Sequence, residues 1–177
     1  GKRFEKMPLV TSFDTRYIVE RICQEPIKYS WQVLNFKIAK KEFAISGSEH
    51  NELMRDKKVL KFIFKTAVTG NGDLMNKIIE NCEDVVTGRT IEELVDNMNT
   101  NEGNLAPVRL DYVKEAVTRY DAQIDRGKTY HNDPQLRLIA HARQYRGDKT
   151  RTCNFQKIVD NKAMPLIAIR EFVLSRK

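Results

Sequence analysis

The sequence predicts an α+β fold, with five or six helices around a small antiparallel sheet. Three observations carry this expectation. From Leu110 the apolar residues fall at 110, 113, 117, 120 and 124, the 3, 4, 3, 4 spacing of one helix face. Thr90, Ile91, Glu92 and Glu93 form a capping box, in which Thr90 accepts from the Glu93 amide and Glu93 reaches back to the Thr90 amide. Two stretches read as strands: 29–35, which alternates apolar with polar, and 166–174, which is almost wholly apolar.

The remaining elements follow in order. Met7 to Val10 reads as extended backbone, because Pro8 biases its predecessor away from helix. Asp14 or Thr15 can cap a short helix whose apolar residues Ile18, Ile22 and Cys23 make a narrow stripe, and Pro26 ends it. In 29–35, Trp31 and Val33 share one face while Gln32 and Leu34 share the other. Residues 36–43 fit helix or strand by pattern, and their Ala, Lys and Glu content favours helix. A loop at 46–49 precedes one or two short helices in 51–68, around Lys57 and Lys58.

Gly70, Asn71 and Gly72 make the clearest break in the chain. Asp73 is the expected cap of the next helix, with Leu74, Ile78 and Ile79 on one face. Val85 to Thr87 is a short β-like connector, and Gly88 turns the chain. After Thr90, the residues expected to be buried are Leu94, Val95 and Met98. In the longest helix Asp111 is the expected cap, and Gly127 stands at the C′ position. Its apolar seam lasts about two heptads, so it is read as facing its own core, not a coiled-coil partner. Residues 128–160 are irregular, and Pro165 opens the last strand, where its missing N–H costs least.

Composition narrows the function classes. The 177 residues fit one domain, 41% hydrophobic and 31% charged, as in a globular protein. Net charge is +7, which attracts polyanions, yet the 31 basic residues are interleaved with 24 acidic ones. The densest basic groups are short, among them Lys37, Lys40 and Lys41. No apolar run nears the roughly 20 residues that span a bilayer. The start lacks a charged-then-apolar signal layout, so a cytoplasmic location with no membrane partner is expected. Three scattered cysteines and three histidines contain no C-x-x-C pair, so no metal site is expected and the thiols are read as buried and unpaired. No G-x-G-x-x-G, Walker or G-x-S-x-G sequence occurs.

Five segments, in order, carry a resemblance. They are Gly1-Lys2-Arg3-Phe4, Asp14-Thr15-Arg16, the T-I-E-E-L of 90–94, the V-x-x-Y-D-x-x-I-D-x-G of 117–127, and the P-L-I-A-I-R-E-F-V-L-S-R-K of 165–177. Together they resemble the capping domain of FAD-dependent oxidoreductases in the fumarate reductase and succinate dehydrogenase flavoprotein superfamily. The FAD-binding dehydrogenase branch, with 3-ketosteroid dehydrogenases among its relatives, is the most similar. The resemblance covers essentially the whole chain and implies one capping domain, 1–177, excised from a longer FAD-binding protein. The start at Gly1, without an initiator methionine, fits an excised fragment.

The resemblance implies hydride transfer between flavin and a carbon–carbon bond of a small organic substrate. FAD would be held by the FAD-binding domain of the same polypeptide, leaving the fragment alone inactive. Arg16 matches the family's acid and substrate clamp, a guanidinium fork suited to a carboxylate. Tyr17 stands where an acidic residue is usual and is a further substrate-binding candidate; Met7-Pro8 replaces a usual Asn-Glu. Arg176 and Lys177 stand where fumarate reductases place a substrate-binding histidine, and would bind an oxyanion or the flavin's developing charge. Trp31 and His50 are weaker candidates, Trp31 being read as core. Two other readings are a basic nucleic-acid-binding module, requiring one continuous Lys/Arg stripe, and a helical interaction module using the 110–124 seam.

Overall fold

The structure, a computed structural model, describes residues 15–43, 56, 57, 60, 70–127 and 156–172. Among them are five helices and three strands: α1 (Thr15–Gln24), β1 (Tyr29–Asn35), α2 (Phe36–Glu42), α3 (Gly72–Asn81), β2 (Val85–Gly88), α4 (Ile91–Thr100), α5 (Leu110–Asp125) and β3 (Leu166–Phe172). The α+β expectation holds. The expected extended start at 7–10, Asp14, the loop at 46–49, nearly all of 51–68, and the stretches 128–155 and 173–174 lie outside the described residues.

The sheet is antiparallel in the order β1-β3-β2, so the last strand in sequence is central. Its register pairs Tyr29 with Phe172 and Asn35 with Leu166 on one side, and Val85 with Ile169 and Gly88 with Leu166 on the other. Centrality explains the apolar run of β3, because both its faces are covered. Leu166 and Ala168 enter one core with Leu94, Val95, Met98, Val113 and Val117. Ile167 enters the opposite core with Ala39, Met75 and Val85. Helices α4 and α5 therefore cover one face, while α2 and α3 cover the other. Complete burial of a Leu or Ile side chain stabilises by roughly 1.5–3 kcal/mol, so Leu166 and Ile167 are principal anchors.

β1 alternates as expected. Trp31 and Val33 pack on the α4–α5 side, and Leu34 on the other. Asn35, only 1% exposed, is the junction between strand and helix. Its Oδ1 accepts from the Ile38 amide at 2.8 Å, capping α2, and its Nδ2 donates to the Lys157 and Ile158 carbonyls at 2.8 and 3.0 Å. The Phe36 amide donates to Ala163 and Pro165 carbonyls, so α2 starts against the turn that opens β3.

Several local expectations are corrected. Asn71, not Asp73, caps α3 by accepting from Leu74 N at 3.1 Å; Asp73 sits in the first turn. The fully buried residue of α3 is Met75, with Ile78 and Ile79 only partly covered. Val85–Gly88 is a true sheet strand, not a connector. At Gly88 a Cβ would lie 2.4 Å from Leu94 N, so glycine lets β2 run directly beneath α4. Thr90 accepts from Glu93 N at 3.1 Å, but Glu93 reaches back one residue further, accepting from Arg89 N at 2.8 Å. Arg109, not Asp111, is the cap position of α5 and makes no side-chain cap; Asp111 instead pairs with it. Ile22 is buried but Cys23 is exposed, as is Cys82, so these two free thiols are not core groups. Cys153 lies outside the described residues.

Gly127 ends α5 with φ +79° and donates to Ile124 O at 3.0 Å, as its C′ place requires. Val113 and Val117 are buried within the chain, so the seam serves the domain's own core. That removes the ground for a seam-based interaction module. No described helix is long and apolar enough to cross a membrane.

Candidate functional site

The register divides the sheet into two chemically different ends. At one end β1 begins, β3 finishes and β2 begins, bringing Tyr29, Arg170 and Asp84 together. Arg170 is an anomaly in an apolar strand: 9% exposed, it needs a counter-charge. Asp84 supplies it, accepting from Arg170 Nε at 3.0 Å and also from Nη2. The guanidinium carbon lies 5.7 Å from the Tyr29 ring centroid and 5.6 Å from that of Trp31, within cation–π range. The two rings meet edge to face, centroids 6.4 Å apart.

The loop after α4 closes over this cluster. Tyr29 Oη donates to Asn104 Oδ1 at 2.6 Å and accepts from Leu105 N at 2.8 Å. Gly103 lies flat on the guanidinium, and a Cβ there would be 1.8 Å from Arg170 Nη1. Arg170 is thus sealed and neutralised. It is a support for this end of the sheet.

The proposed site residues relate to this end through the backbone. Arg16 and Tyr17 occupy the first turn of α1, whose last residue, Gln24, leads within five residues into Tyr29. At 1.5 Å per residue, Arg16 stands about 12 Å along the helix from Gln24. Phe172, the register partner of Tyr29, is the residue from which the chain continues toward Arg176 and Lys177. The α1 helix and the C-terminal segment therefore join the same end of the sheet. The side chains of Arg16 and Tyr17, and all of His50, Arg176 and Lys177, lie outside what the structure describes. Trp31 is described, and it packs on the core beside Arg170.

At the opposite end β1 finishes and β3 begins. There α2 and the turn before β3 enclose an open cleft of about 420 Å3, lined by Phe36, Lys37, Lys40, Lys41, Lys162, Ala163 and Met164. Elsewhere among the described residues several cations meet carboxylates: Lys114 with Glu92, Arg119 with Glu115, Lys157 with Asp125. Such pairing does not favour the continuous basic stripe that a nucleic-acid module requires. No group of three His, Cys, Asp or Glu side chains converges among the described residues.

One buried carboxylate fastens the approach to β3. Asp121 of α5, 9% exposed, accepts from the Ile158 and Val159 amides at 2.7 and 3.0 Å. Burial is the largest influence and raises its pKa, opposed by those two amides.

These features define an α+β domain built on a three-stranded antiparallel sheet, with a sealed polar cluster at one end and a basic cleft at the other. The chain is similar along its whole length to part of the KsdD-like steroid dehydrogenases. It is 35% identical over 178 aligned residues to one from Mycobacterium tuberculosis, covering 100% of this chain and 31% of the relative. It is 33% identical over 174 residues to one from Mycolicibacterium smegmatis, covering 97% of this chain and 31% of the relative. The chain thus spans about a third of the length of the curated relatives it matches. No protein-family model matches it, and no solved structure matches it. These relatives are named as the steroid-dehydrogenase kind of protein that the sequence motifs resemble.

Sequence reasoning missed Arg170, Asp84 and Gly103. A signal for Arg170 was present: with Glu171 it is one of two charged residues inside a stretch of six apolar ones, Leu166 to Ile169, Phe172 and Val173. Its partner was not readable, because 24 acidic residues could have served.

Proposed function

We propose that this chain is the substrate-capping domain of an FAD-dependent oxidoreductase acting on a steroid. In this reading residues 1–177 form one domain of a longer, cytoplasmic polypeptide, and a separate segment binds the flavin. The observation that carries it is similarity across the whole chain to a contiguous third of dehydrogenases named for steroids.

The described residues do not fit a dinucleotide. Their sheet is wholly antiparallel, without the parallel βαβ unit and Gly-rich turn that cradle a pyrophosphate. In this reading the flavin chemistry belongs to the other segment, and the isolated chain is inactive. What this chain contributes is placement and charge. Arg16 clamps the substrate and exchanges a proton with it; Tyr17, Arg176 and Lys177 bind the substrate, the two cations facing an oxygen that gains negative charge. Support comes from the register, which joins α1 and the C-terminal segment to one end of the sheet.

The test compares the complete polypeptide, the same polypeptide lacking 1–177, and the isolated chain. The expected result is a flavin absorption spectrum in the complete protein and none in the isolated chain. Dehydrogenation of a 3-ketosteroid with an artificial electron acceptor should vanish when 1–177 is removed. Flavin bound by the isolated chain, or steroid turnover unaffected by the deletion, would overturn the reading.

A further inference from the structure

Lys37, Lys40 and Lys41 stand at i, i+3 and i+4 of α2, so they share one helix face, where like charges repel. Lys162 joins them from the turn before β3. Helix electrostatics accounts for only part of this arrangement. Lys40 and Lys41 lie in the last turn, where cations complement the helix dipole, but Lys37 lies in the first turn, where they do not. Lys162 belongs to another element altogether. Among the described residues no carboxylate lines the cleft, and Asp160 stands 4.0 Å from Lys37 at the margin of ion-pair distance.

The walls are fixed before any ligand arrives. The Phe36 amide is bonded to the Ala163 and Pro165 carbonyls, which ties α2 to the opposite wall. The Lys40 carbonyl accepts from Asn71 N at 2.7 Å. Gly70 presses against it so closely that a Cβ would lie 2.7 Å from Lys40 O. Between the lysines the surface is apolar, formed by Phe36, Ala163 and Met164.

The geometry points to a binding site for a small organic phosphate, a phosphate ester carrying an apolar or aromatic group. Lysine ammonium groups are compact point charges that bind phosphate, and four of them around one cleft suit the double negative charge of a phosphate monoester. The cleft volume of about 420 Å3 falls within the range of small-molecule sites. Phe36 and Met164 offer contact area to the ester's apolar part. This inference concerns the end of the sheet opposite α1 and the C-terminal segment, and it stands whether or not the capping reading holds.

The experiment is titration calorimetry on the complete polypeptide with phenyl phosphate, inorganic phosphate and phenol. Phenyl phosphate should bind at least tenfold more tightly than either of the others, and more weakly as salt rises. Lys37→Ala with Lys162→Ala should weaken it about tenfold or more, while Lys37→Arg with Lys162→Arg retains most of the affinity. Lys162→Gln alone, at an exposed turn, should give a smaller loss with an unchanged melting transition. Equal binding of inorganic phosphate, or unchanged affinity in the alanine and glutamine variants, would overturn the proposal, as would no binding of phenyl phosphate.

Discussion

Arg170 and Asp84 are joined through both main chain and side chain. The Arg170 amide donates to the Asp84 carbonyl at 2.8 Å, and Arg170 Nε donates to the Asp84 carboxylate at 3.0 Å. The β2–β3 ladder ends with Val85 opposite Ile169, so this pair extends the sheet by one step. A charge is tolerated on a central strand because its partner arrives by the same register that forms the sheet.

Removing one partner should therefore cost more than removing both. Asp84→Ala leaves a buried guanidinium without its carboxylate and should destabilise by about 3 kcal/mol. Combining it with Arg170→Met, an apolar side chain of similar length, should recover part of that loss. Urea unfolding of the two variants checks this; equal losses would contradict it.

Gly103 is coupled to the same guanidinium. Gly103→Ala places a Cβ 1.8 Å from Arg170 Nη1 and 2.2 Å from Cζ, where Asp84 holds the side chain still. The substitution should be costly in the natural sequence and much cheaper in an Arg170→Met background. A double-mutant cycle should yield a coupling of about 1 kcal/mol or more.

Asp121 sets a pH dependence whose sign follows from its raised pKa. A carboxyl that is easier to protonate folded than unfolded adds stability at low pH. That contribution is complete below the ordinary aspartate value of 3.8 and is lost as pH rises through the folded value. Asp121→Asn removes the titration and turns an amide donor toward one of the Ile158 and Val159 N–H groups, costing roughly 1–3 kcal/mol. Melting temperatures across acidic pH should show the gap between natural protein and variant narrowing as pH rises.

For Arg16 the readout is turnover. In the complete polypeptide Arg16→Ala should lower kcat by about 100-fold or more while leaving the flavin spectrum unchanged. Arg16→Lys should restore little, because an ammonium lacks the guanidinium's paired donors. Steady-state kinetics with a 3-ketosteroid would decide it, and a kcat within twofold of the natural protein would remove Arg16 from the chemistry.

Much of the fold was legible because local patterns and burial agreed. The 3, 4 spacing after Leu110 placed Val113 and Val117 in the core, and Leu94, Val95 and Met98 were identified as the buried side of α4. The alternation around Trp31 and Val33 sorted β1 between the two cores. Caps were less legible. Asn71, Asp73 and Asp111 all have side chains able to cap a helix, and only the path of the backbone selects among them. β2 was legible only as a β-like connector, because four residues, Val85–Gly88, carry too little periodicity to show pairing with a strand that lies far along the sequence. At the site, Lys37, Lys40 and Lys41 were visible as a basic group, but Lys162 joins them only in three dimensions.

The central place of β3 has a consequence during synthesis. Among the described residues β1 and β2 bond to β3 and not to each other, so neither has its partner until residues 166–172 leave the ribosome. Each of these pairings spans a long stretch of chain, a high contact order that slows folding. Chaperone dependence should therefore be greatest in the interval before the last strand emerges, when two strand edges are exposed at once.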